Sequence, residues 1–279
     1  MKKYFLAGLL SLLLVLTACG NKTDNKAATN DPGKAETVEE DNTINIGVSP
    51  VPHEEIIKAL EPEFKKEGLD VKVTTFDDYV IPNMALDQGD LDANFFQHKP
   101  YLDDFVKERG VKLVSLGAVH LEPIGFYSDK VKSVDDLKDG DEILIPNDAT
   151  NGGRALLLLA KAGVIKVNDP ENLNITEKDI TENPKNLKFT ALDAPSIPRS
   201  YKDVAGAVIN SNYALGAGLN PLKDSLLIED KDSPYANIVA VRQGEENKEK
   251  FKKFMKVLNS EACRKFIEEK YEGSILPSF

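Results

Sequence analysis

The chain is poor in cysteine, with Cys19 and Cys263 the whole supply. Cys19 belongs to the N-terminal segment, so Cys263 has no intramolecular partner and a disulfide framework is excluded. Histidine is scarce as well. His53, His98 and His120 lie far apart in sequence, and no His/Cys group has metal-ligand spacing; neither a metal nor a cofactor is expected. Basic residues are outnumbered, 35 Lys and Arg against 46 Asp and Glu, for a net charge of −11. Phosphates would be repelled, which argues against nucleic acid as a partner. After the first residues there is no second long apolar run, so nothing in the body spans a membrane. The G-x-S-x-G elbow, the P-loop and G-x-G-x-x-G are all missing. Paired carboxylates such as Asp77–Asp78 and Asp103–Asp104 read as solvated faces. No enzyme is expected.

What is present begins with an export signal. Lys2 and Lys3 precede an apolar run from Tyr4 to Leu16, too short to cross a bilayer as a folded helix. It ends in "LTAC", which resembles the bacterial lipobox. Residues 1–18 are therefore expected to be a lipoprotein signal peptide, with Cys19 lipidated after cleavage. Residues 19–42 contain almost no large apolar side chain and no period. Such a stretch cannot bury enough surface to offset its ordering entropy, and it reads as a flexible tether.

The remainder alternates strand and helix patterns. "TINIGVS", "DVKVTTF", "DANFF" and Lys112–His120 read as strands with helices between them, Pro62 interrupting the first helix and Gly89 and Gly110 ending two others. The alternation then restarts with "EILIPN". A helix over Gly152–Gly163 is apolar nearly all round, and "LKFTALD", "AGAVIN", "SLLIED" and "NIVAVR" are further strands. One long closing helix carries Phe251, Phe254, Met255, Leu258, Ala262 and Phe266, with Cys263 at the edge of its stripe as a small buried hydrophobe. The pattern predicts an α/β fold of two lobes, each a mostly parallel sheet flanked by helices, with a ligand cleft between them. Residues 43–121 plus 239–279 form lobe I and residues 122–238 lobe II.

Several residues fall where such a cleft would be. Arg154 sits in the expected first turn of the buried helix, where the dipole disfavours a cation by roughly 0.3–1 kcal/mol. Either Asp148 pairs with it, or an anionic ligand group does. Thr150 or Asn151 could cap that helix. Asn210 and Asn212 follow the strand "AGAVI"; amides suit a zwitterion, though turn formation and capping are their ordinary uses. In "NFFQHKPYL", alternation sends Phe95 and Phe96 to opposite faces, one to the core. Gln97 and His98 stand where the strand stops, and Tyr79 ends the neighbouring strand segment. Together they suggest an amphipathic pocket wall.

At these residues the chain resembles the methionine-binding lipoproteins of bacterial ABC importers. "ANFFQHKPYLDDF", "HLEPIGFYS", "IPNDATNGGRALLLLAKAG", "ENPKNLKF", "GAVINSNYAL" and "EDKDSPYANIVAVR" occur in that order over nearly the whole body. The resemblance implies a periplasmic-binding-protein fold that closes on methionine, its D form, a close derivative or a methionine-containing dipeptide. It implies a monomer, anchored to the cell membrane by lipid on the extracytoplasmic side, delivering to a permease with a cytoplasmic ATPase. It further implies ligand-binding roles for Tyr79, Phe96, His98, Asn151, Arg154, Asn210 and Asn212. Where that family commonly has an acidic residue in N-E-G-R-A, this chain has Gly152, which would alter the ammonium contacts. On this reading Arg154→Ala should cost binding far more than stability. Rival functions on the same scaffold are a surface hydrolase and an adhesin.

Overall fold

The computed structural model describes residues 41–279. The expected signal peptide, the lipidated Cys19 and almost all of the tether lie outside the described residues. Among those described, no helix is long and apolar enough to cross a membrane.

The strands are β1 (Thr43–Val48), β2 (Asp70–Thr75), β3 (Ala93–His98), β4 (Leu113–Leu121), β5 (Gly125–Tyr127), β6 (Glu142–Pro146), β7 (Lys166–Val167), β8 (Ile180–Glu182), β9 (Lys188–Leu192), β10 (Gly206–Ile209), β11 (Leu227–Ile228), β12 (Ala236–Arg242) and β13 (Leu276–Pro277). One sheet has the order β13-β4-β12-β3-β1-β2 and a second β11-β5-β10-β6-β9, with β7 and β8 as a separate pair. The helices are α1 (Glu55–Ala59), α2 (Glu61–Lys66), α3 (Ile81–Gln88), α4 (Lys99–Arg109), α5 (Ala149–Lys161), α6 (Ile197–Ser200), α7 (Ser211–Gly216), α8 (Pro221–Asp224), α9 (Glu249–Leu258) and α10 (Glu261–Tyr271).

The α/β architecture with helix-flanked sheets is as the alternation predicts, but the sheets are mixed rather than mostly parallel. β1 runs parallel to β2 and β3, whereas β12 is antiparallel to both β3 and β4. In the second sheet β6 is parallel to β9 and β10, whereas β5 is antiparallel to β10 and β11. The helical crossovers enforce the parallel pairs. The reversals occur where the chain passes between sheets: β4 leads to β5 through Glu122, and β11 leads to β12 through Glu229 and Tyr235.

Local chemistry sets the element ends. Pro62 at the second position of α2 leaves a break at Leu60, as its ring demands. Gly89 and Gly110 end α3 and α4 in the left-handed region, at φ 90° and 69°. The closing segment is two helices, not one. Asn259 ends α9, and the Ser260 hydroxyl accepts from the Cys263 N–H to start α10. The apolar period continues through that break, which is why the sequence reads as a single stripe.

Each sheet has its own core. Phe95, Phe251 and Phe254 are fully buried in the first, and Phe126, Leu156 and Leu159 in the second. Cys263 is fully buried, and burial pushes its thiol up to about 12. It is expected to resist a thiol reagent such as DTNB at neutral pH in the folded protein and to react fully in denaturant. Rapid native labelling would contradict that packing.

Candidate functional site

The parallel strands end towards one region, and the chain places polar side chains just past each end. Tyr79 follows β2, His98 closes β3, Asn151 and Arg154 lie on α5 after β6, and Asn210 and Asn212 follow β10. Phe96 is within β3, facing opposite to Phe95. All seven residues line one cavity of about 320 Å³. The further lining residues are Gln97, Tyr101, Glu122, Ser211 and Asn237.

The aromatic wall is contiguous. The Tyr79 ring lies 5.9 Å from Phe96, 5.8 Å from Tyr101 and 5.1 Å from Tyr213. Gln97, also on the lining, is held in a buried amide network, donating to Asn83 Oδ1 at 2.7 Å and Asn94 Oδ1 at 2.9 Å.

His98 joins the halves. Its Nδ1 accepts from the Tyr101 N–H at 3.1 Å, so Nε2 carries the proton and donates to Asn151 Oδ1 at 3.1 Å. Burial, reinforced by Arg154, lowers its pKa to about 3, so it stays neutral. Tyr79 donates across the gap to Asn212 Oδ1 at 2.7 Å, and Tyr213 to the Asp77 carbonyl at 3.0 Å. These three bonds cross the cleft.

The start of α5 differs from the sequence reading. The helix begins at Ala149, and Asp148, rather than Thr150 or Asn151, is its N-cap, accepting from the Asn151 N–H at 2.9 Å. Arg154 is therefore in the second turn. Its partner is not Asp148 either. The guanidinium is 2% exposed and engages the Glu229 carboxylate through Nε at 3.0 Å and through Nη2. Nη2 also donates to the Glu122 carbonyl at 2.7 Å, and the group lies 4.3 Å from the Tyr235 ring. Burial works against its charge, and Glu229 outweighs it, raising the pKa. Glu229 and Tyr235 thus hold the fork from one side, and Arg154 also lines the cavity. Neither stands near Arg154 in sequence, so nothing local could have found them.

Asn210 caps α7 with its backbone alone. Its side chain instead donates to Asn151 Oδ1 at 2.8 Å, and its own Oδ1 is buried without a partner. Gly152 does not line the cavity. The negative charge there comes from Glu122, on the segment joining the sheets, which the sequence reading passed over.

Histidines that the sequence spreads apart also converge. His53 and His120, both fully buried, bring Nε2 to 3.2 and 2.7 Å of Glu122 Oε1. Burial raises the Glu122 pKa, opposed by His53, Arg154 and the Asn212 N–H. No hydroxyl in the cavity is poised as a nucleophile, since Ser211 is bonded to the Pro123 carbonyl.

The family described as NlpA lipoprotein matches residues 44–279. The chain is 45% identical over 275 residues to the D-methionine-binding lipoprotein MetQ of Salmonella typhi, covering 98% of this chain and 96% of that one. A nutrient binding protein from Burkholderia cenocepacia, solved bound to methionine, superposes with a TM-score of 0.82 at 48% identity, covering 85% of this chain and 100% of that one. An ABC transporter periplasmic substrate-binding protein from Coxiella burnetii gives a TM-score of 0.81 at 40% identity, covering 84% and 100%.

Proposed function

Because the chain belongs to the NlpA lipoprotein family, we propose that it is a lipid-anchored receptor that captures methionine on the extracytoplasmic side of the cell membrane. It then delivers methionine to an ABC importer, a permease driven by a cytoplasmic ATPase. It works as a binding protein, without catalysis. The described body divides for this purpose into lobe I, residues 43–121 plus 239–279, and lobe II, residues 122–238. The two segments through Glu122 and Glu229 are the hinge.

The observation that carries the reading is one cavity lined by a buried cation, a buried carboxylate and an aromatic wall. Arg154 and Glu122 both line it, and each acts electrostatically on the other. An α-amino acid presents its ammonium and carboxylate one carbon apart and suits a site that holds both charges in one cavity. A dipeptide separates them by a peptide unit and would have to bridge a longer span. The ligand carboxylate lies on Arg154. Its ammonium meets Glu122 and the unpartnered Asn210 Oδ1, and Asn212 and Asn151 complete the polar rim. Desolvating bare charges is prohibitive unless each is paired in this way. The thioether lies against Tyr79, Phe96, Tyr101 and His98, where each sulfur–aromatic contact contributes about 0.3–1.5 kcal/mol.

Thermal unfolding of ligand-stripped protein against a panel of amino acids tests this. Methionine at 100 times its Kd should stabilise the fold by about 2.7 kcal/mol. If neither L- nor D-methionine shifts the transition, the ligand assignment is wrong.

A further inference from the structure

His53, His120 and Glu122 form a buried group whose histidines do not line the cavity. His53 follows β1, His120 is in β4 and Glu122 lies just beyond it. Both imidazoles turn Nε2 to the same carboxylate oxygen, at 3.2 and 2.7 Å. His53 Nε2 also lies 3.1 Å from Asn237 Oδ1. Both Nδ1 atoms are buried and have no hydrogen-bond partner.

That last observation assigns the protons. An imidazole bound to a metal through Nε2 carries its proton on Nδ1, as does a charged imidazolium, and metal-bound histidines almost always pass that proton to an acceptor. Here either state would strand two buried donors. The arrangement that strands none has both rings neutral, the His120 Nε2–H donating to Glu122 and the His53 Nε2–H to Asn237 beside it. A carboxylate oxygen that accepts from His120, with the His53 ring 3.2 Å away, is stabilised in its charged form. This offsets part of the desolvation that Glu122 suffers at the cavity wall.

We propose that His53 and His120 are positioning residues that clamp Glu122 as an oriented carboxylate, and so restrict the pocket to molecules bearing an ammonium beside their carboxylate. The inference rests on the methionine reading above and deepens it. The histidines touch no ligand. They act through Glu122, so their removal weakens the ammonium end of recognition and leaves the thioether and Arg154 ends intact.

The test is a comparison of two ligands by titration calorimetry. One is methionine, and the other is the same acid without its amino group, methylsulfanylbutanoate. His120→Phe keeps a ring in the core but removes the donor, and His120→Gln retains a donor. In His120→Phe, methionine should bind roughly 10- to 100-fold more weakly, the range expected for losing a hydrogen bond to a charged group, with the des-amino acid unchanged. His120→Gln should recover much of the loss. Equal weakening of both ligands, or no change for methionine, overturns the clamp. Failure of the unmutated protein to bind methionine would instead overturn the methionine reading. Should the variants not fold, imidazole ¹⁵N chemical shifts of the unmutated protein decide the matter. Both Nε2 atoms must appear as N–H and both Nδ1 atoms as bare nitrogens. An Nδ1–H form, or a bound metal in the purified protein whose removal by chelator shifts these signals, refutes the proposal.

Discussion

Arg154→Ala is expected to abolish useful affinity for methionine and to destabilise the fold at the same time. The guanidinium is 2% exposed and answers Glu229, the Glu122 carbonyl and the Tyr235 face. Truncating a buried hydrogen-bonded charge pair costs binding roughly 2–5 kcal/mol, which is about 30- to 5,000-fold in Kd. Removing one partner of a buried ion pair costs the fold about 3–5 kcal/mol, because the other charge is left behind. The Glu229 side chain is 15% exposed and can recover some hydration, so the lower end applies. The sequence reading put the damage almost wholly on binding; the Glu229 pair moves part of it to stability. Arg154→Lys retains the charge without the planar fork and should recover stability more than affinity. Urea denaturation and calorimetry on the same preparations measure both. Methionine affinity unchanged in Arg154→Ala would remove the arginine from the site.

Glu122→Gln is expected to move affinity and stability in opposite directions. Burial raises the folded pKa of Glu122 above its unfolded value. Such a group contributes stability that is present in acid and lost as pH rises through the folded value. Above that value the ionised carboxylate is therefore a net cost to the empty protein, and the amide should leave it as stable or more so. Binding responds the other way. Without the counter-charge, methionine should lose about 2–5 kcal/mol of affinity. In the unmutated protein, affinity should fall as pH drops through the raised folded pKa of Glu122 and the carboxylate takes up a proton, while the glutamine variant should be flat there. The charged and titratable groups facing Glu122 do not confuse this window. The His53 and His120 pKa values are lowered to about 4 and 3, Arg154 stays charged, and Tyr79 and Tyr271 are both raised. A pH-independent Kd in the unmutated protein would mean that Glu122 does not meet the ammonium.

Much of the site was legible because parallel strands end where ligands bind. Tyr79, His98, Asn151 and Asn210 were each readable as polar or amphipathic residues just past an apolar strand. Phe95 and Phe96 separated by the two-residue period of a strand, one fully buried in the first core and the other on the cavity wall. Glu122 had a weaker signal, an acidic residue between apolar stretches in "HLEPIGF". It went unread because a lone glutamate is ordinarily a solvated one.

By itself, the sequence determined the α/β alternation and the motif set that reaches one cavity, because periodicity and turn residues act over a few neighbouring positions. Only the tertiary structure decided that Arg154 pairs with Glu229 rather than Asp148, that β12 returns antiparallel into the first sheet, and that His53 and His120 meet on Glu122. Those outcomes depend on which distant groups the two sheets bring within about 3 Å, and hydrogen-bond energy is steep in distance and angle. A charge in the chain carries no mark of its partner until the fold brings the two together.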